Sequence, residues 1–300
     1  MIGNPWFRGS CTALITPMAD GAVDAEAFQR FCAWQIEEGT EALIPVGTTG
    51  ESPTLSYEEH KLAIDLCIEV AKGKRPVIAG TGSNATAEAI ELTQHAQAAG
   101  ADAALVVTPY YNKPTQEGLY AHYRAIHDAS DLPIMIYNIP GRSIIDMSVE
   151  TMARLAKLPR IIGVKDASND LTRPARTRIA IDADFCQLSG EDATVMAFLG
   201  AGGQGCISVT GNVAPGLLSR MHKAWQTGDV TGALAIHDRL QPLHEALFVE
   251  SSPAPVKYAA SLLGLCRNEL RLPLVSVQPE TELKVREAMV HAGLTELEKR

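Results

Sequence analysis

The chain has 300 residues, 46% of them hydrophobic and 20% charged, enough to bury a large core and too apolar for a disordered chain. A net charge of −9 argues against a nucleic-acid surface, and the basic stretch at 173–178, with no aromatics interleaved, reads as a solvated helix face. No run reaches the ~18 apolar residues that a membrane span needs, and six cysteines without Cys-x-x-Cys spacing read as reduced thiols of a cytoplasmic protein.

In chain order, the N-terminus lacks a basic segment followed by an apolar stretch, so no secretory signal is expected. Short apolar, β-branched runs then recur roughly every 25 to 30 residues, at 10–17, 42–48, 76–82, 103–109, 133–138, 161–166, 185–190 and 205–210. Segments of helical period separate them. In 24–38 the face is Ala27, Phe28, Phe31, Cys32 and Gln35, and in 86–99 it is Ile90, Thr93, Ala96 and Gln97. Asp24, Ser56, Asn84 to Thr86 and Ser148 mark helix starts, while Gly39, Gly73, Gly100 and Gly228 mark ends. The strands are near-continuous apolar runs, as in a parallel sheet covered on both faces.

Eight strand–helix units within the first 228 residues predict an α/β fold, a (β/α)8 TIM barrel. An open doubly wound sheet is the competing topology. After 228 no strand pattern remains, and 229–250, 253–265 and 280–293 read as helices. The expected division is a catalytic barrel at 1–228 and a C-terminal helical domain at 229–300.

In such a barrel the chemistry sits where strands end. Lys165 lies within the apolar run Ile161-Ile-Gly-Val-Lys-Asp-Ala167. A charge buried there costs several kcal/mol unpaired, so the amine either sheds its proton or finds a partner such as Asp166. The first case makes it a nucleophile toward carbonyl carbon. Strand 2 ends in Gly47-Thr-Thr-Gly-Glu-Ser52, a tight loop whose amides and hydroxyls suit a carboxylate. Strand 4 ends in Thr108-Pro-Tyr-Tyr-Asn-Lys-Pro114, where the adjacent phenols of Tyr110 and Tyr111 must point apart. Strand 5 ends in Tyr137-Asn-Ile-Pro-Gly-Arg142: Tyr137 lies beside Lys165, and Arg142 suits a second carboxylate.

Gly190, after strand 7, lets backbone approach a ligand, and Asp192 is either a site residue or a helix cap. The glycine patterns at 200–205 and 80–85 are discounted as dinucleotide loops, since the first precedes a strand and the second lacks a ribose-binding acid on the next. No histidine falls on a strand end, so no metal is expected. Together these groups suit a 2-oxo acid that forms an imine with Lys165 and, as the enamine, attacks an aldehyde.

The combination of these loops with Gly163-Val-Lys-Asp166 and Gly205-Cys-Ile-Ser-Val-Thr210 resembles the 4-hydroxy-tetrahydrodipicolinate synthase (dihydrodipicolinate synthase) family over nearly the whole chain. The resemblance implies condensation of pyruvate with L-aspartate 4-semialdehyde in the diaminopimelate route to lysine, with no cofactor beyond the covalent pyruvate imine. It implies Lys165 as the imine former and Tyr137 as the proton relay, with Thr48 linking Tyr137 to Tyr111. Thr49 would hold the pyruvate carboxylate, Arg142 the semialdehyde carboxylate, and the backbones of Gly190 and Ile207 would line the pocket. Tyr111 would reach a neighbouring subunit's site, implying a homo-oligomer, commonly a tetramer built as a dimer of dimers. A lysine-inhibitor site would fall at Ser52, His60, Asn84, Glu88 and Tyr110, although Pro53 and Tyr57 depart from the pattern of inhibited members.

Sugar-acid aldolases share the lysine and tyrosine, but their loop is usually Gly-Ser-Thr-Gly-Glu and the arginine after Pro-Gly is missing. A catalytically silent barrel that senses an amino or keto acid is the alternative of a different class.

Overall fold

The computed structural model describes residues 7–181 and 184–294. Its barrel strands are β1 Gly9–Ala13, β2 Ala42–Ile44, β3 Ile78–Gly80, β4 Ala103–Val107, β5 Ile134–Asn138, β6 Ile161–Asp166, β7 Cys186–Ser189 and β8 Gly205–Ser208. All are parallel to their neighbours. The order β2-β1-β8-β7-β6-β5-β4-β3 is closed by a bridge between Leu43 and Val77. The open doubly wound alternative therefore falls. Each strand is followed by a helix: α1 Ala25–Glu37, α2 Tyr57–Ala71, α3 Thr86–Ala99, α4 Gln116–Ala129, α5 Val149–Leu155, α6 Arg173–Ala180, α7 Val195–Gly200 and α8 Pro215–Gln226.

Several strands are shorter than the apolar runs that marked them. The run at 42–48 contributes only three strand residues, because Pro45 cannot donate to a ladder and Val46 takes a positive φ of 49°. A small hairpin of Met18–Ala19 with Ala22–Val23 has no counterpart in the sequence reading.

Helix signals translate unevenly. Asp24 and Ser148 cap their helices, and Ser56 forms a capping box with Glu59. Gly39, Gly73, Gly100 and Gly228 all take positive φ at helix ends. The expected face of α1 is the buried one. On α3 the buried face is Ala89, Leu92, Thr93 and Ala96 instead; Gln97 is exposed, and its Oε1 accepts from Ser130 and Asp131 on the next connection. The cap position of α3 is Ala85, which makes no side-chain cap.

Apolar side chains form two clusters. Cys11, Ala42, Ile44, Ile78, Leu105, Met135, Ile162, Leu188 and Ile207 fill the barrel interior, with Phe7 ahead of β1. A larger set, including Phe28, Phe31, Ile64, Ile136 and Val164, packs strands against helices. The face a strand residue takes is a matter of parity. Along β6 parity changes, because Ile134 pairs with Ile161 while Met135 pairs with Gly163, leaving Ile162 as an extra residue. This bulge brings Lys165 opposite Tyr137, on the interior face.

Beyond α8 the described residues form three helices, α9 Val230–Ala246, α10 Ala254–Leu262 and α11 Pro279–Ala292. They are tied to the barrel by charge as well as packing. Lys257 Nζ lies 2.5 Å from Glu51 Oε1 with both side chains fully buried, and Arg271 pairs with Glu59.

Candidate active site

Lys165 is 5% exposed and points into the barrel mouth, its Nζ 4.2 Å from the centroid of the Tyr137 ring. Tyr137 is equally buried and faces it across the β5–β6 ladder. The partner the sequence offered, Asp166, points the other way. Its carboxylate accepts from Arg173 Nε at 2.8 Å and from the Ser168 backbone at 2.9 Å. Among the described residues no carboxylate lies within 4 Å of the Lys165 amine. Arg173 is thereby a correction: only 5% exposed, it is not part of a solvated helix face, since it also donates to Met147 O and approaches Asp146.

Gly190 sits against the same lysine. A Cβ there would stand 3.2 Å from Lys165 Cε and 2.7 Å from Ala167 Cβ, so only glycine lets β7 run this close. Its N–H donates to Asp166 O at 2.7 Å. Ile207, fully buried on β8, walls the interior.

The turn after β2 is closed by its own backbone: Gly50 N and Ser52 N donate to Gly47 O, and Glu51 N donates to Thr48 O. Thr16 Oγ1 anchors it by donating to Gly50 O at 2.8 Å. Among the described residues the amides and hydroxyls of Thr48 and Thr49 have no protein partner, although Thr49 is 4% exposed. The turn thus leaves two neighbouring backbone donors, at Thr48 and Thr49, available to a ligand.

Arg142 lies in a single helical turn, Pro140–Ser143, beyond β5. It is exposed at the mouth, and its guanidinium donates to Ser252 O at 3.0 Å. Asn138 steadies this loop through Asp146 and the Met147 amide. Tyr111 is 92% exposed with φ 69°, and no hydrogen bond joins Thr48 to Tyr137 or Tyr111 among the described residues.

Two acids here differ from the sequence reading. Asp192 neither caps a helix nor faces the ligand space: its carboxylate accepts from Ser208 Oγ and from the amides of Val209 and Thr210, stitching the loop after β7 to the end of β8. Glu191, absent from the expected set, lies close enough to sense Lys165 and Arg142. Burial above all, then the Asp192 charge, pushes its carboxyl up to about 7 against the pull of those two cations. The available signal was its place directly after Gly190.

A separate cavity of about 180 Å³ is lined by Ser52, Pro53, Tyr57, His60, Glu88 and Tyr110, with Ser83 and Leu92. Asn84 does not line it but donates to Tyr110 O at 3.1 Å, while Glu88 accepts from Ser83 Oγ at 2.7 Å. Neither residue caps a helix. His60 Nε2 stands 2.8 Å from Gly80 O, and burial holds its pKa below the usual histidine value. Tyr110 thus turns to this cavity and Tyr111 to solvent.

Residues 6–292 match the dihydrodipicolinate synthetase family. A 4-hydroxy-tetrahydrodipicolinate synthase of Rhodospirillum centenum is 68% identical over 288 residues, 96% of this chain and 99% of the relative. A crystal structure of a dihydrodipicolinate synthase from Acinetobacter baumannii complexed with pyruvate superposes with a TM-score of 0.93 at 45% identity, covering 96% of this chain and 99% of that one. One from Cyanidioschyzon merolae with lysine bound gives 0.93 at 42% identity, covering 96% and 99%. The chain belongs to the dihydrodipicolinate synthetase family.

Proposed function

We propose that the protein condenses pyruvate with L-aspartate 4-semialdehyde to give 4-hydroxy-tetrahydrodipicolinate, the committed step of lysine synthesis through diaminopimelate. The observation that carries this reading is the buried Lys165 amine lying against Tyr137 with no carboxylate partner among the described residues. The unprotonated amine adds to the keto carbon of pyruvate and water leaves, forming an imine. The protonated imine draws electrons from the methyl group, which loses a proton to become the enamine. That carbon attacks the aldehyde carbon, whose oxygen takes a proton. The amino group of the second substrate then displaces lysine at the imine carbon, closing the ring and freeing the amine.

Tyr137 serves as the proton relay at the reacting centre, with Thr48 and a neighbouring subunit's Tyr111 extending it. The 92% exposure of Tyr111 supports that role, since it leaves the side chain open to a neighbouring subunit. Thr49 and the backbone amide of Thr48 hold the pyruvate carboxylate, and Arg142 holds that of the semialdehyde. Gly190 and Ile207 line the pocket. The imine is its own electron sink, so the reaction as written calls on no added cofactor. A homotetramer completes the reading, and six free cysteines support its place in the cytoplasm.

L-lysine as inhibitor fits the second cavity, whose Ser52, Glu88 and Tyr110 offer polar partners, with His60 on its wall and Asn84 bracing Tyr110.

Offering pyruvate with L-aspartate 4-semialdehyde, and separately sialic acid, tests the substrate choice. Turnover is expected only with the first. Cleavage of sialic acid would make the chain a sugar-acid aldolase. In Arg142→Ala, kcat/KM for the semialdehyde is expected to fall about 100-fold, the scale of a lost bidentate charge pair. Borohydride trapping of pyruvate should persist in that variant; loss of both would assign Arg142 to the first substrate.

A further inference from the structure

One stretch of the C-terminal segment holds two parts of the site. Ser252 O accepts from Arg142 at 3.0 Å, and Lys257 Nζ reaches Glu51 Oε1 at 2.5 Å. Glu51 is the fifth residue of the Gly47–Ser52 turn. Its other oxygen accepts from the Arg271 amide at 3.1 Å, so both come under the control of residues more than 200 positions away.

The turn needs an outside tie. Val46 and Glu51, at its two ends, both take left-handed φ values, 49° and 57°, which a side-chain-bearing residue keeps only under constraint from its surroundings. Glu51 also anchors the short helical turn at 52–54, because its carbonyl accepts from Thr54 N and Thr54 Oγ1. A fully buried ion pair is a poor means of stabilising a fold, since two well-packed apolar side chains usually do as well. What it supplies instead is direction: a charged donor fixes where the carboxylate lies, and with it the residue's backbone.

We propose that Lys257 and Glu51 are positioning residues for the first substrate, fixing the turn so that the Thr48 and Thr49 amides converge on the pyruvate carboxylate. The inference rests on the reading of that turn as the carboxylate cradle. It makes the tail part of the substrate site without contact with any reacting atom.

The deciding variant is the charge-free double substitution Glu51→Met with Lys257→Met, which leaves no unpaired buried charge. It is compared with Thr49→Val in the full-length protein. The readouts are the urea midpoint, KM for each substrate, and borohydride trapping at subsaturating pyruvate. The double variant is expected to keep a midpoint near that of the parent. Its pyruvate KM should rise about tenfold or more, as misplacement of a positioning group costs, with little change in KM for the semialdehyde. A double variant that folds with the parent's pyruvate KM, or that fails to fold, overturns the proposal and leaves the pair a stability device. If Thr49→Val leaves the pyruvate KM unmoved, the cradle reading itself fails, whatever the double variant does.

Discussion

Lys165 and Glu191 are opposite cases of a charge at the barrel mouth. The lysine is surrounded by the Tyr137 ring and the close backbone at Gly190, with Asp166 turned away to Arg173. The glutamate has its carboxyl pushed up to about 7 from 4.5, by burial first and Asp192 second. A carboxyl that holds its proton longer when folded makes stability fall with rising pH. The loss begins near its unfolded value of 4.5 and is complete just above about 7. Glu191→Gln should remove this slope. Urea midpoints of variant and parent should agree near pH 4.5, with the variant the more stable at pH 8; parallel curves across that range would show that Glu191 does not titrate as described.

At the scale of elements, β6 does the sorting. Eight strands were legible because each is a short apolar run between helical segments, and the Tyr137–Lys165 pairing follows from strand adjacency. The bulge at Ile162 was not legible: nothing in Ile161-Ile-Gly-Val-Lys says where an extra residue enters the ladder, and that residue decides which way Lys165 faces. The partners of Asp166 and Arg173 depend on the same extra residue. Once Lys165 faces in, Asp166 faces out into the helix layer and draws Arg173 into burial. Arg173→Met should therefore destabilise the protein by about 3 kcal/mol or more, the cost of stranding a buried carboxylate, while adding Asp166→Leu should recover most of it. Equal urea midpoints for parent and Arg173→Met would show that the pair carries no such burden.

At the scale of the whole molecule, the sequence carried the family's motifs but not the contacts between them. The Gly47–Ser52 turn and Lys257 are separated by more than 200 residues, and no local pattern pairs Glu51 with that lysine. We propose that the chain divides at residue 228 into a barrel and a helical tail, the tail tied to the barrel through Glu51 and Glu59. Tyr111, 92% exposed, makes a prediction about assembly. Lys165→Ala and Tyr111→Phe subunits should each form weak or dead homo-oligomers. Co-expressed, they should form hybrids in which one subunit's Lys165 meets the other's Tyr111, and activity should rise above that of either parent pool. Hybrids no more active than the simple sum would place Tyr111 outside the neighbouring site.

The central claim is that the Lys165 amine captures the 2-oxo acid. Incubation with pyruvate and borohydride, followed by intact mass and peptide mapping, tests it directly. One reduced pyruvate adduct per chain, carried by Lys165 and absent from Lys165→Ala, is the expected result. An adduct on another lysine, or none at all in the active protein, would contradict the account.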